Sequence, residues 1–267
     1  MATTPQIVTS QLGSFVADDG VPLVFDTWEP TGMARGVPVV LHHGFAADVS
    51  SNWTITGIVE RLRADGRTVI ALDARGHGRS GKPHDPSSYG HDVMSRDVSK
   101  LLDHLDFSLV DLIGYSMGGY VAAITAVRRE PRLRSVVIGG IGAPALAKRG
   151  LDRSAIADAL LADDPRTVAD RTARQFRRFA EATGGDRDAL AAIMRAPFRP
   201  VGDVSQIRIP TLVLVGADDE LATNPEILAD AIPGARLVVT EGIHLRAPAV
   251  PAFAQAIIEF LRDMDEP

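Results

Sequence analysis

Short runs of apolar, largely β-branched residues recur along the chain: Val39-Val40-Leu41, Val69-Ile70-Ala71-Leu72, Val110 to Ile113, Val136-Val137-Ile138, Leu212 to Val215 and Leu237-Val238-Val239. Most are continuous rather than alternating, as expected for strands buried on both faces. Between them lie amphipathic helical stretches, and each run precedes a Gly, His or Asp cluster that marks a strand's carboxyl end. This alternation predicts an α/β fold, a mostly parallel central sheet with helices on both faces. Upstream, Ile7 to Val16 and Val21 to Trp28 flank Ala17-Asp18-Asp19-Gly20, which predicts an antiparallel hairpin at one sheet edge.

Between Pro144 and Pro210 the strand pattern stops and helical stretches take over, from Asp164 to Ala182 and from Asp186 to Met194. The expected division is a core of residues 1–145 and 207–267 with a small helical cap, 146–206, inserted before the strand at 210–215. In the first stretch Asp164 can cap a helix started by Pro165. Val168, Thr172, Phe176 and Phe179 share one face, which leaves Arg171, Arg174, Arg177 and Arg178 to a solvated one.

Composition narrows the picture by exclusion. The 267 residues include 28 Lys and Arg against 34 Asp and Glu, a net charge of −6, without the basic run that would grip a phosphate backbone. No nucleic-acid partner is expected. Neither a secretory leader nor an apolar span long enough for a membrane is visible, so the expected location is cytoplasmic. With no cysteine there is no disulfide scaffold, thiolate metal site or cysteine nucleophile.

The segment richest in chemistry is Val110-Asp111-Leu112-Ile113-Gly114-Tyr115-Ser116-Met117-Gly118-Gly119, followed by a helical stretch from Tyr120. It holds G-x-S-x-G between an apolar strand and a helix start, the context in which a serine is raised above a sheet on a tight turn. The helix N-terminus beneath offers free N–H groups to a developing oxyanion. A serine hydroxyl needs a base, and the base needs an orienting acid.

With these motifs the chain resembles the α/β-hydrolase fold family over essentially its whole length. His43-Gly44-Phe45 is similar to the family's oxyanion loop, which implies the backbone N–H of Phe45 as one donor and that of Met117 as the second. Asp73-Ala74-Arg75-Gly76-His77-Gly78-Arg79-Ser80 is similar to the family's structural D-x-R-G-x-G-x-S turn, which leaves His77 outside the expected site. In the order Ser, Asp, His, the acid falls three residues after Gly216, at Asp219; Asp218 is the neighbouring competitor and Glu220 a more distant one. His244, in the loop Thr240-Glu241-Gly242-Ile243-His244 before the last helix, is the expected base, since an imidazole titrates near neutrality.

The other chemistry-bearing residues have plainer readings. His42 and His43 are adjacent strand residues facing opposite ways, without carboxylates, so no metal is expected there. His84, His91 and His104 carry no distinguishing context. Trp53, Met94 and Phe198 could line a pocket but read as packing. No cofactor is expected.

A serine at the elbow implies an acyl-enzyme, and hence hydrolysis of a carboxylic ester or lactone of small-molecule size. The resemblance also takes in carbon–carbon hydrolases of ring-cleavage products, but those family members often carry Trp after the base, and the departure here, Leu245 after His244, lowers that reading. Perhydrolases, enol-lactonases and acyltransferases share the constellation, as would a ligand-sensing protein with slow turnover. The sequence leaves substrate, stereochemistry and oligomeric state open.

Overall fold

In a computed structural model, residues 10–147 and 151–266 are described. Eight strands form one sheet in the order β1-β2-β4-β3-β5-β6-β7-β8: β1 Gln11–Val16, β2 Pro22–Trp28, β3 Val39–His42, β4 Val69–Asp73, β5 Val110–Tyr115, β6 Leu133–Gly139, β7 Thr211–Gly216 and β8 Arg236–Thr240. From β4 to β8 across the sheet every pairing is parallel; β2 joins β4 antiparallel and carries the hairpin partner β1 at the edge. The hairpin turns at Ala17 to Gly20, and the part of the expected first strand at 7–9 lies outside the described residues.

The continuous apolar runs exist because both sheet faces are covered. Val40, Ile70, Leu72, Leu112, Val136 and Val213 face one side, against α2 (His91–His104) and α3 (Met117–Val127). Their alternates Val39, Leu41, Val69, Ala71, Ile113, Val137 and Leu214 face the other, against α1 (Ile58–Ala64) and α8 (Pro251–Asp263). Period-two alternation thus divides one apolar run between two cores.

The stretch between β6 and β7 contains α4 (Arg153–Leu161), α5 (Arg171–Ala182) and α6 (Arg187–Arg195); α7 (Pro225–Ala231) follows β7. Here the single helix expected from Asp164 is broken. Asp164 caps only a 3-10 turn, Pro165–Thr167, and a second cap, Asp170, whose side chain accepts the Ala173 N–H, starts α5. Asp152 and Asp186 cap α4 and α6 in the same way.

The solvated arginine face also needs correction. Arg171 and Arg178 are exposed, but Arg177 is 3% exposed. Its guanidinium donates to the carbonyls of Ala159, Leu160 and Ala162 at the end of α4 and to Glu181 at 2.7 Å. A cation there satisfies carbonyls that have run out of helical N–H partners and meets the negative end of the helix dipole. Arg153 does the same for Ile193, Met194 and Ala196 at the end of α6. Arg177→Met should therefore cost about 2–4 kcal/mol, because buried carbonyls lose a charged donor. A urea midpoint corresponding to a loss under about 0.5 kcal/mol would contradict this role.

Trp53 and Met94 are core residues, each at most 1% exposed. Phe198 stacks edge-on against Tyr120 and His91 and lies under Arg153. Among the described residues no helix is long and apolar enough to cross a membrane.

Candidate active site

The chain leaves β3 toward β4 on one side and later enters β5 on the other, so the carboxyl ends of β3 and β5 form the sheet's switch point. Loops diverge there and open a crevice, the usual place for a ligand on such a sheet. Gly44 and Phe45 follow β3, and Ser116 follows β5.

Ser116 stands at φ 55°, ψ −114°, a conformation that residues with a side chain seldom adopt. The glycines on either side make the turn possible. A Cβ on Gly114 would lie 1.9 Å from the Gly118 carbonyl oxygen, and one on Gly118 would lie 2.0 Å from the His42 carbonyl oxygen. Only backbones without side chains can approach this closely. The Ser116 N–H donates to the Gly139 carbonyl at 2.8 Å, tying the turn to β6.

His244, in the loop after β8, places Nε2 2.8 Å from Ser116 Oγ. Its Nδ1 is 2.9 and 2.8 Å from the two carboxylate oxygens of Asp219. With Nδ1–H donating to the carboxylate, Nε2 is left to accept the serine proton. Asp219 is held in turn by the N–H groups of Leu221 and Ala222, at 2.9 and 3.0 Å on Oδ1. The Tyr115 hydroxyl donates to the His244 carbonyl at 2.5 Å, which fixes the loop from the strand that also carries Ser116. Asp219 and His244 are buried. Asp218 and Glu220 are exposed, and neither touches the imidazole.

Beside Ser116, the first-turn N–H of Met117 has no acceptor within its own helix. The Phe45 N–H makes no hydrogen bond to backbone among the described residues. The loop carrying Phe45 is set by its neighbours: Asn52 Oδ1 accepts the Gly44 N–H at 2.8 Å. His43 Nε2 accepts the Ala74 N–H at 3.0 Å, and His77 Nε2 accepts the Ala46 N–H at 3.1 Å. Each of these rings uses Nδ1 toward a carbonyl, His43 toward Gly44 and His77 toward Arg75. Both histidines must therefore be neutral to hold the loop. Burial, the largest influence on each, pushes their pKa values below the ordinary 6.5. This bracing by His43 and Asn52 is invisible in sequence, because its partners are backbone groups 31 and 8 residues away.

From above, Phe176 of α5 meets Phe45 edge-on at 5.6 Å between ring centres, and the Thr183 hydroxyl donates to the Ala46 carbonyl at 2.8 Å. A small compartment of about 60 Å³ touches Gly44, Phe45, Asn52 and Ser116. A groove of about 480 Å³ runs from His244 between α5 and the loops after β7 and β8. The compartment and the groove share Phe176, Phe179, His244 and Leu245.

The remaining histidines do not join the site. His42 Nδ1 faces the His43 carbonyl at 3.2 Å, and His91 stacks on Tyr120. The one grouping of metal-ligand type among the described residues is His84, Asp186 and Asp188 at the surface, where His84 and Asp186 pair at 3.2 Å.

Residues 37–187 match the family model described as the alpha/beta hydrolase fold, which covers more than half of the chain. The chain belongs to the α/β-hydrolase family. Among curated relatives it is 32% identical over 252 residues to a dihydrolipoyllysine-residue acetyltransferase component of the acetoin cleaving system of Pseudomonas putida, covering 88% of this chain and 66% of that one. It is 29% identical to a non-heme chloroperoxidase of Streptomyces lividans, over 83% of this chain and 86% of that protein. It spans half or less of the length of three further curated relatives. Among solved structures, the enol-lactonase from Burkholderia xenovorans LB400 superposes with a TM-score of 0.70 at 26% identity, over 94% of this chain and all of that one.

Proposed function

We propose that this α/β-hydrolase cleaves small carboxylic esters or lactones through an acyl-enzyme on Ser116. The observation that carries the reading is the unbroken relay from Ser116 Oγ to His244 Nε2 at 2.8 Å and from Nδ1 to the Asp219 carboxylate. Ser116 attacks the acyl carbon while His244 takes its proton; the carbonyl oxygen, now negative, is met by the N–H groups of Phe45 and Met117. As the tetrahedral species collapses, His244 returns the proton to the leaving oxygen. Water, deprotonated by the same imidazole, then releases the acid. Asp219 keeps Nδ1 protonated and balances the transient imidazolium.

Support from relatives is consistent with this chemistry without fixing the substrate. An enol-lactonase and a monoacylglycerol lipase are among the similar proteins, as is a 2-hydroxymuconate semialdehyde hydrolase. Residues 146–206 act as a cap in this reading, with Phe176 and Phe179 closing the site from α5. The compartment at Ser116 is small, so short acyl groups should be preferred. Across p-nitrophenyl esters, kcat/KM is expected to be highest at two to six carbons and to fall at least tenfold by twelve, because added methylenes have no pocket. A profile peaking at twelve or more would show that the compartment does not bound the acyl group.

The test of the reaction itself is turnover of acyl esters and lactones by wild type and by Ser116→Ala. Loss by about 10⁴ or more is expected; full activity in the variant would refute it. Ligand-dependent capture of a partner with no turnover of any ester would favour a sensor instead.

A further inference from the structure

The relay also dictates where the two halves of an ester must lie. His244 Nε2 hands its proton to the leaving oxygen, so the leaving group must pass the imidazole. The oxyanion points at Phe45 and Met117, and the acyl chain takes the space on the oxyanion-loop side. That space is the 60 Å³ compartment against Gly44, Phe45 and Asn52. Past His244 opens the 480 Å³ groove.

The wall of that groove carries an arrangement the reaction does not explain. Arg171 and Arg178 stand two turns apart on α5, and Arg246 lies two residues beyond His244; all three line the groove. Many arginines elsewhere are held by carboxylates or carbonyls, as Arg67, Arg75, Arg134 and Arg177 are, and those left free, such as Arg61 and Arg129, do not line this groove. Among the described residues these three guanidiniums have no carboxylate within ion-pair distance and no hydrogen-bond acceptor. Asp218 and Glu220 also line the groove and form no ion pair with them. The groove therefore holds three free positive charges against two negative ones, in a chain whose net charge is −6. Guanidinium forks suit a planar carboxylate, and these three keep their donors free for one.

We infer that the groove takes the leaving group, and that the preferred substrate is a short-chain ester of an alcohol or phenol bearing a carboxylate. This assignment rests on Ser116 and His244 acting as proposed above.

The experiment compares phenyl acetates carrying a 4-carboxylate, a 4-carboxamide or a 4-trimethylammonium group. Their intrinsic reactivities differ, so the quantity read is how each kcat/KM ratio changes between wild type and the triple variant Arg171→Gln/Arg178→Gln/Arg246→Gln. The carboxylate-to-carboxamide ratio is expected to fall about tenfold, as three exposed charges would give. It should stay near the wild-type value in the triple Lys variant and shrink in wild type at about 0.5 M salt. A ratio within twofold of wild type in the Gln variant, or a wild-type preference for trimethylammonium, would overturn the inference. Should the acyl-enzyme reading itself be wrong, all three esters would fail together in wild type. Calorimetric titration with 4-hydroxybenzoate then decides. Binding weakened about tenfold in the Gln variant supports the groove's assignment, whereas equal affinities, or no binding to wild type, refute it.

Discussion

Asp219→Asn is expected to leave the protein folded and lower kcat by about 10² to 10⁴. The carboxamide can still receive the Leu221 and Ala222 N–H groups on its oxygen, so the loop geometry survives. What changes is the face turned to Nδ1 of His244. An amide nitrogen there donates, which favours the tautomer with Nε2–H and so removes the acceptor that Ser116 needs. KM for a short ester should change far less than kcat, since the Asp219 side chain is wholly buried behind the imidazole. Asp218→Asn serves as the comparison: its side chain is exposed on the groove wall and does not meet the imidazole. A larger kcat loss from Asp218→Asn than from Asp219→Asn would place the acid one residue earlier.

Acid should unfold the protein well above the pH at which its carboxylates titrate. His42, His43 and His77 are each at most 2% exposed, and burial is the first cause lowering each pKa, His42 to about 3. In the unfolded chain they titrate near 6.5, whereas in the fold they stay neutral. Below that value the unfolded state therefore binds more protons, and stability falls as pH falls. Each histidine held neutral contributes a slope of up to about 1.4 kcal/mol per pH unit, so His42 and His77 give roughly 2–3 kcal/mol per unit near pH 5, and His43 steepens it in the same direction. The loss begins near pH 6.5 and runs down toward the folded-state values. Urea unfolding at half-unit steps from pH 7 to 4.5 measures it. His77→Gln, whose amide oxygen can still accept the Ala46 N–H, should reduce the slope by about one proton. Stability that is flat from pH 7 to 5 would mean these rings are not held neutral.

Much of the scaffold was legible because its signals are local. Continuous apolar runs ending in Gly, His or Asp mark the parallel strands, and the run at Val110 to Ile113 followed by Gly114 and Gly118 marks the turn under Ser116. The family match over residues 37–187 and the eight-stranded sheet bear out the fold read from them. From sequence the helical stretch from Asp164 reads as one element because Pro165 and Asp164 make a strong start. The second start at Asp170 was present in the sequence, but a polar residue inside an amphipathic pattern does not show which of two caps will prevail. The burial of Arg177 escapes the sequence for a different reason. Its position on α5 is local information, whereas the carbonyls it caps belong to the end of α4, 15 to 18 residues earlier, and only packing brings them together. The same holds for His43 and His77, whose partners are N–H groups that any residue would carry. The unpartnered state of Arg171, Arg178 and Arg246 is likewise a property of the groove and not of their spacing.

In the proposed mechanism the hydroxyl of Ser116 attacks the acyl carbon. A fluorophosphonate that reacts only with an activated serine tests it without knowledge of the natural substrate. Wild type is treated, digested and mapped by mass spectrometry, alongside Ser116→Ala and His244→Ala. One phosphonate adduct is predicted, on the peptide containing Ser116, absent in Ser116→Ala and formed far more slowly in His244→Ala. An adduct on another residue, or labelling of Ser116 at the wild-type rate without His244, would contradict the account.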